Sequence, residues 1–107
     1  MKMRGAWHIY EMEVWDEYYL NMEVQAFIQI HEDCSGNFQF GLVTGQMDGK
    51  IVEGNNGTRY EFTWDGFDEC DRNCGTGWMK MLEDDKVEGE FNIHLGDRSL
   101  FLAKRAQ

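Results

Sequence analysis

In the run Leu20–His31 every even position is apolar and every odd one except Phe27 is polar. That period belongs to a β-strand with one face in a core and the other in water. Comparable alternation returns at Phe38, Phe40 and Leu42, at Tyr60, Phe62 and Trp64, and at Val87, Gly89, Phe91, Ile93 and Leu95. A chain patterned in this way is built to form sheet.

Turn signals divide the pattern. Asp16-Glu17, Ser35-Gly36-Asn37, Asp48-Gly49, Asn55-Asn56-Gly57, Asp84-Asp85 and Gly96-Asp97 punctuate the sequence, with Asp48-Gly49 the dipeptide suited to a type I′ hairpin. They leave about eight predicted strands, near 6–15, 18–31, 37–47, 50–54, 58–66, 76–83, 86–95 and 98–105. The nearest helical candidate, Trp15–Leu20, is too short to stand alone. Short sequential connections imply an antiparallel meander, and closing strand one on strand eight removes both exposed edges. The expected fold is therefore all-β, a small antiparallel up-and-down barrel of about eight strands, with a two-sheet sandwich as the second choice. Its interior rows are led by Met22, Val24, Ile28, Phe38, Phe40, Phe62, Phe91 and Ile93.

Composition bounds the function classes. With 107 residues the chain makes one domain, and the absence of proline suits long uninterrupted strands. Twenty acidic against ten basic residues give a formal charge of -10, whose field repels nucleic acid and anionic membranes. Lys2 and Arg4 precede no apolar stretch, because His8 and Glu11 interrupt it, so neither a signal peptide nor a membrane span is expected and the predicted location is the cytoplasm. Three cysteines in that setting argue against a disulfide framework.

Chemistry-bearing groups collect between Asp65 and Gly77, the longest departure from the strand pattern. Asp65, Asp68, Glu69, Asp71 and Asn73 offer oxygen ligands for calcium, but the EF-hand spacing fails: Cys74 stands five after Glu69, and Lys80 occupies the twelfth place. The region reads as a solvated acidic turn. Cys70 and Cys74, with Cys34 and the histidines His8, His31 and His94, make a poor zinc set, and Arg72 is the only cation near enough to favour a thiolate. His94, Asp97, Arg98 and Ser99 surround one tight turn, yet residues that alternate faces need not converge. Glu11, Glu13, Glu23, Glu88 and Glu90 should form a solvated acidic face, which suits a basic partner. Trp15, Tyr18, Tyr19, Phe27 and Phe67 mark either a contact surface or, for Trp15 and Tyr19, a plug at one barrel end.

Two groups of residues resemble known patterns. Gly5-x-Trp7 with Arg105 is similar to the calycin arrangement of lipocalins, which implies a barrel with Trp7 stacked under Arg105 at its closed end. Phe62-Thr63-Trp64-Asp65-Gly66-x-Asp68-Glu69-x-Asp71, then Gly75-x-Gly77-Trp78 and Ile93-His94-x-Gly96-Asp97-x-Ser99-x-Phe101-x-Ala103-x-Arg105, resembles a group of small bacterial all-β proteins with no assigned activity. That resemblance implies a prokaryotic cytoplasmic origin and carries over no catalytic residue, substrate or cofactor.

One face is rich in methionine, with Met12, Met22, Met47, Met79 and Met81 beside Phe and Trp. Such side chains fill a core or line a cavity. The first functional expectation is a non-enzymatic barrel that binds a small apolar ligand through Met22, Phe40, Phe62, Trp64, Met79 and Phe91. The second is a solid barrel acting as a protein-interaction or homo-oligomeric module. The third, a hydrolase using His94, Asp97 or the clustered glutamates, needs a polar pocket where titratable groups converge. No cofactor or metal is implied.

Overall fold

A computed structural model describes residues 2–55 and 57–106, and in it the alternation resolves into eight antiparallel strands closed on themselves. They are β1 (Gly5–Met12), β2 (Phe27–Ile30), β3 (Ser35–Phe40), β4 (Val43–Gly54), β5 (Gly57–Asp68), β6 (Asp71–Glu83), β7 (Lys86–Ile93) and β8 (Arg98–Arg105). Each strand pairs with its successor, and β8 returns to β1 through Trp7 opposite Arg105 and Ile9 opposite Ala103. The expected up-and-down barrel is thus present. Met1 of the N-terminal reading and Asn56 of the Asn55-Asn56-Gly57 turn lie outside the described residues.

Several boundaries differ from expectation, each for a physical reason. The alternating run does not make one strand over 18–31. Glu17–Leu20 is a single helical turn, α1, whose N-cap Asp16 accepts a hydrogen bond from the backbone N–H of Tyr19. Asn21 then accepts the N–H of Ala26 at 2.9 Å, which loops the chain outward, so Met22 and Val24 are exposed by 55% and 45% rather than interior. Only Phe27–Ile30 reaches both β1 and β3.

The expected hairpin at Asp48-Gly49 is absent because both residues continue β4, and the β3–β4 turn falls at Gly41-Leu42, where Gly41 adopts φ +59°. Ser35-Gly36-Asn37 likewise lies in β3, while His31–Cys34 turns the chain, with Asp33 accepting from both the N–H and the hydroxyl of Ser35. The segment from Asp65 to Gly77 is no loop. It is a tight hairpin turning at Glu69-Cys70, with Asp65 paired to Cys74.

Core packing explains the glycines. Even residues of β5 and odd residues of β6, β7 and β8 point inward, and the core they share with Trp7 of β1 also holds Phe38, Phe40, Tyr60, Phe62, Trp64, Phe91 and Phe101. Phe91 touches four of them, with ring centroids at 4.6 Å to Phe38, 5.2 Å to Phe40, 5.9 Å to Phe62 and 4.8 Å to Phe101. An eight-stranded barrel has room for so many rings only if their cross-strand neighbours give way. They are glycines: Gly45 faces Phe38, Gly77 faces Phe62 and Gly89 faces Phe101. A Cβ on any of the three would collide with that ring.

The two ends are closed differently. At the end carrying α1, Leu20 is buried and Trp15 packs on Phe40 at 5.0 Å and on Tyr19 at 6.1 Å, so Trp15 and Tyr19 form a plug, while Tyr18 is 91% exposed. At the opposite end, where the chain begins and ends, the closure comes from the N-terminal segment. The strands of 12 and 13 residues, β4, β5 and β6, project there and help give the molecule its 37 Å long axis.

Candidate functional site

The end formed by the termini is held by one cation. Arg105 places its guanidinium 3.9 Å over the Trp7 ring and donates to the carbonyl oxygens of Arg4 and Lys2, each at 2.7 Å. Trp7 adds a bond from Nε1 to the carbonyl oxygen of Met3 at 2.9 Å. These three hydrogen bonds draw residues 2–4 across the barrel and leave Met3 only 2% exposed. An ion pair between Arg4 and Glu32 secures the outer side.

Beside this strap opens a cleft of about 490 Å³. Met3, Ile51 and Met81 make its floor, Leu82 its wall, and Lys2, Glu53, Thr58, Glu83 and Asp84 its rim. Ile51 and Met81 are half-buried against the core, whereas Leu82 is 50% exposed. The Thr58 hydroxyl donates to Glu53 at 2.9 Å and ties the projecting β4 and β5 together. The result is an apolar hollow with a polar margin.

The residues expected to line a ligand site fall in two places. Phe40, Phe62, Trp64, Met79 and Phe91 are all buried in one core cluster, where the aromatic rings pack through tilted and edge-on contacts, Trp64 against Phe38 and both Phe40 and Phe62 against Phe91. Met22 does not join them, because the loop after α1 carries it outside the barrel. The cleft residues Met3, Ile51 and Leu82 escaped sequence reading, although Met81 stands in the methionine-rich row. What places Met3 is Arg105, more than a hundred residues away in the chain.

The other constellations are dispersed. Among the described residues no three His, Cys, Asp or Glu side chains are arranged to hold a metal ion. Cys34, Cys70 and Cys74 are free thiols, the last two exposed on the β5–β6 hairpin. Ser99 is fully buried, accepting from the Val14 N–H, while His94, Asp97 and Arg98 are exposed, and Arg98 lies 3.6 Å from Glu90. That group makes a turn, not a converging site. Phe27 and Phe67 face outward in a row across β2 to β5 that also holds Gln39 and Thr44.

Three groups have clearly displaced protonation, and packing or turn geometry accounts for each. Burial raises the Tyr60 phenol above its usual range, where it donates to the Cys34 carbonyl at 2.7 Å. Burial also raises Tyr19, opposed by its hydrogen bond at Leu42. The Ser35 hydroxyl and N–H hold Asp33 below its usual value. None of the three lines the cleft. No family model matches the chain, and neither a curated protein nor a solved structure matches it.

Proposed function

We propose that the protein is a non-enzymatic binding protein that takes a small apolar molecule into the cleft at the end formed by its termini. The carrying observation is the hollow of about 490 Å³ floored by Met3, Ile51 and Met81. Its size and mixture of apolar floor and polar rim suit a small-molecule site. The strap from Arg105 to residues 2–4 keeps that floor in place before any ligand arrives, which lowers the ordering cost of binding. The Trp7–Arg105 stack supports a calycin-like reading, with the difference that the hollow lies on the side of the strap.

Methyl NMR of protein labelled at methionine, titrated with 1-hexanol and with indole, tests the reading. Saturable shifts at Met3 and Met81, abolished in Leu82→Lys, are expected. Leu82 is half exposed, so that change should leave the fold intact. Absence of saturable shifts, or shifts equal at the exposed Met22, would remove the proposal.

A further inference from the structure

The outer face of β8 is apolar at its centre. Ser99, Phe101 and Ala103 point inward and are buried, yet the residues between them, Leu100 and Leu102, are apolar as well. A strand apolar on both faces belongs in a sheet covered on both sides. Here the outer side meets solvent, and Leu100 is 48% exposed.

Register surrounds these leucines with carboxylates. Leu102 lies opposite Glu88 on β7 and Glu11 on β1, and Leu100 lies opposite Glu90 on β7 while its carbonyl accepts the N–H of Glu13. A bulge in β1 between Ile9 and Glu11 brings Tyr10, 39% exposed, to the same surface. A groove of about 350 Å³ between these side chains reaches down to Gly89, Phe101 and Met12. Two of the four carboxylates have cations: Lys80 is 3.2 Å from Glu88, and Arg98 is 3.6 Å from Glu90. Among the described residues Glu11 and Glu13 form no ion pair, and Glu13 accepts only the N–H of Leu100, at 3.3 Å.

We infer that this groove docks an extended, basic segment of a partner protein, whose leucine-like side chains cover Leu100 and Leu102 while lysine or arginine reaches Glu11 and Glu13. Charge complementarity selects that occupant over a second copy of the chain, because each copy carries a formal charge of -10 and would bring glutamates against glutamates. A neutral apolar segment would cover the leucines but leave the carboxylates desolvated without partners.

The test uses an eight-residue peptide of alternating Lys and Leu, a Lys-Ser peptide of equal charge, and methyl NMR of the leucines. The Lys-Leu peptide should shift Leu100 and Leu102 saturably and bind at least tenfold more tightly than the Lys-Ser peptide. Leu100→Ser and Glu11→Lys, both on the exposed surface, should each weaken it about tenfold. Glu23→Lys, with the same change in net charge elsewhere on the surface, should leave it within twofold. Equal binding of both peptides, or equal loss in Glu11→Lys and Glu23→Lys, would reduce the effect to diffuse attraction and overturn the inference. So would a dimer in sedimentation that Leu100→Asp dissociates, since the occupant would then be a second copy.

Discussion

Gly45→Ala probes the packing rule on which the barrel depends. Gly45 lies within β4 and points at the rings, with a Cβ built there 2.5 and 2.6 Å from the Cε2 and Cζ atoms of Phe38 and 3.0 Å from Cε3 of Trp64. Comfortable carbon contacts begin near ~3.5 Å, so the ring must retreat by about 1 Å. Phe38 has nowhere to go: it is 1% exposed and held by Phe91 at 4.6 Å, Trp64 at 5.2 Å and Phe40 at 5.8 Å. Overpacking of this kind costs about 1–3 kcal/mol, offset by roughly 0.5–1 kcal/mol because alanine loses less backbone freedom than glycine on folding. The net loss should be about 1–2 kcal/mol.

The sign should reverse when the ring is removed. In a Phe38→Leu background the added methyl enters vacated space, the clash with the Phe38 ring disappears and only the 3.0 Å approach to Trp64 remains, so Gly45→Ala should become close to neutral or stabilising by up to about 1 kcal/mol. Urea unfolding of the four proteins in this cycle, followed by tryptophan fluorescence, measures both steps. If Gly45→Ala is neutral alone, or costs the same in both backgrounds, the pairing of glycine with aromatic rings does not govern the core.

Other perturbations reach different parts of the molecule. Leu95 sits at the β7–β8 turn with φ +59° and 95% of its surface exposed, so Leu95→Gly should raise stability by about 1 kcal/mol in thermal melts by relieving left-handed strain at no cost in burial. Tyr60→Phe removes the bond to the Cys34 carbonyl and should lose about 1 kcal/mol at neutral pH. Because burial raises the folded-state pKa of Tyr60, its contribution is whole below the unfolded value near ~10 and declines as pH rises above it. The variant should therefore lose less stability than the native protein between about pH 10 and 12, as circular dichroism at stepped pH would show. Arg105→Ala deletes two charged hydrogen bonds and the stack on Trp7, a loss of about 2–4 kcal/mol, and should release residues 2–4 to trypsin; unchanged cleavage would refute the strap.

Alternation made the inward and outward faces of β5 and β7 legible, since those strands keep one face in the core for most of their length. It misled at Leu20–His31, because the same period suits an extended segment that never pairs; Asn21 capping the Ala26 N–H, a contact with no periodic signature, decides the path there. The Asp48-Gly49 signal failed for a related reason. Local turn preference favours a hairpin, but Gly49 serves the interior: a side chain there would strike the Tyr60 ring and the Glu61 carbonyl. Glycine therefore has two meanings in this chain, as a turn residue and as the vacancy that an opposing ring fills. Only the register between strands tells them apart.

Period two separates inside from outside but says nothing about how each end of a barrel is closed or which outer face could take a partner. The strapped end depends on Arg105 meeting Lys2 and Arg4, a contact between the two extremes of the chain that no local pattern announces. The outer groove is different, because Ser99-Leu100-Phe101-Leu102-Ala103 visibly interrupts the alternation that β5 and β7 maintain. In a barrel whose interior is already crowded with rings, the extra leucines cannot turn inward without displacing Phe101 and Ala103, so their apolar character has to be spent on the outside. Loss of alternation in a strand whose register is fixed by closure is thus the observation on which the proposed docking of a basic segment rests, and the glutamates on both sides of Leu100 and Leu102 set the charge such a segment would need.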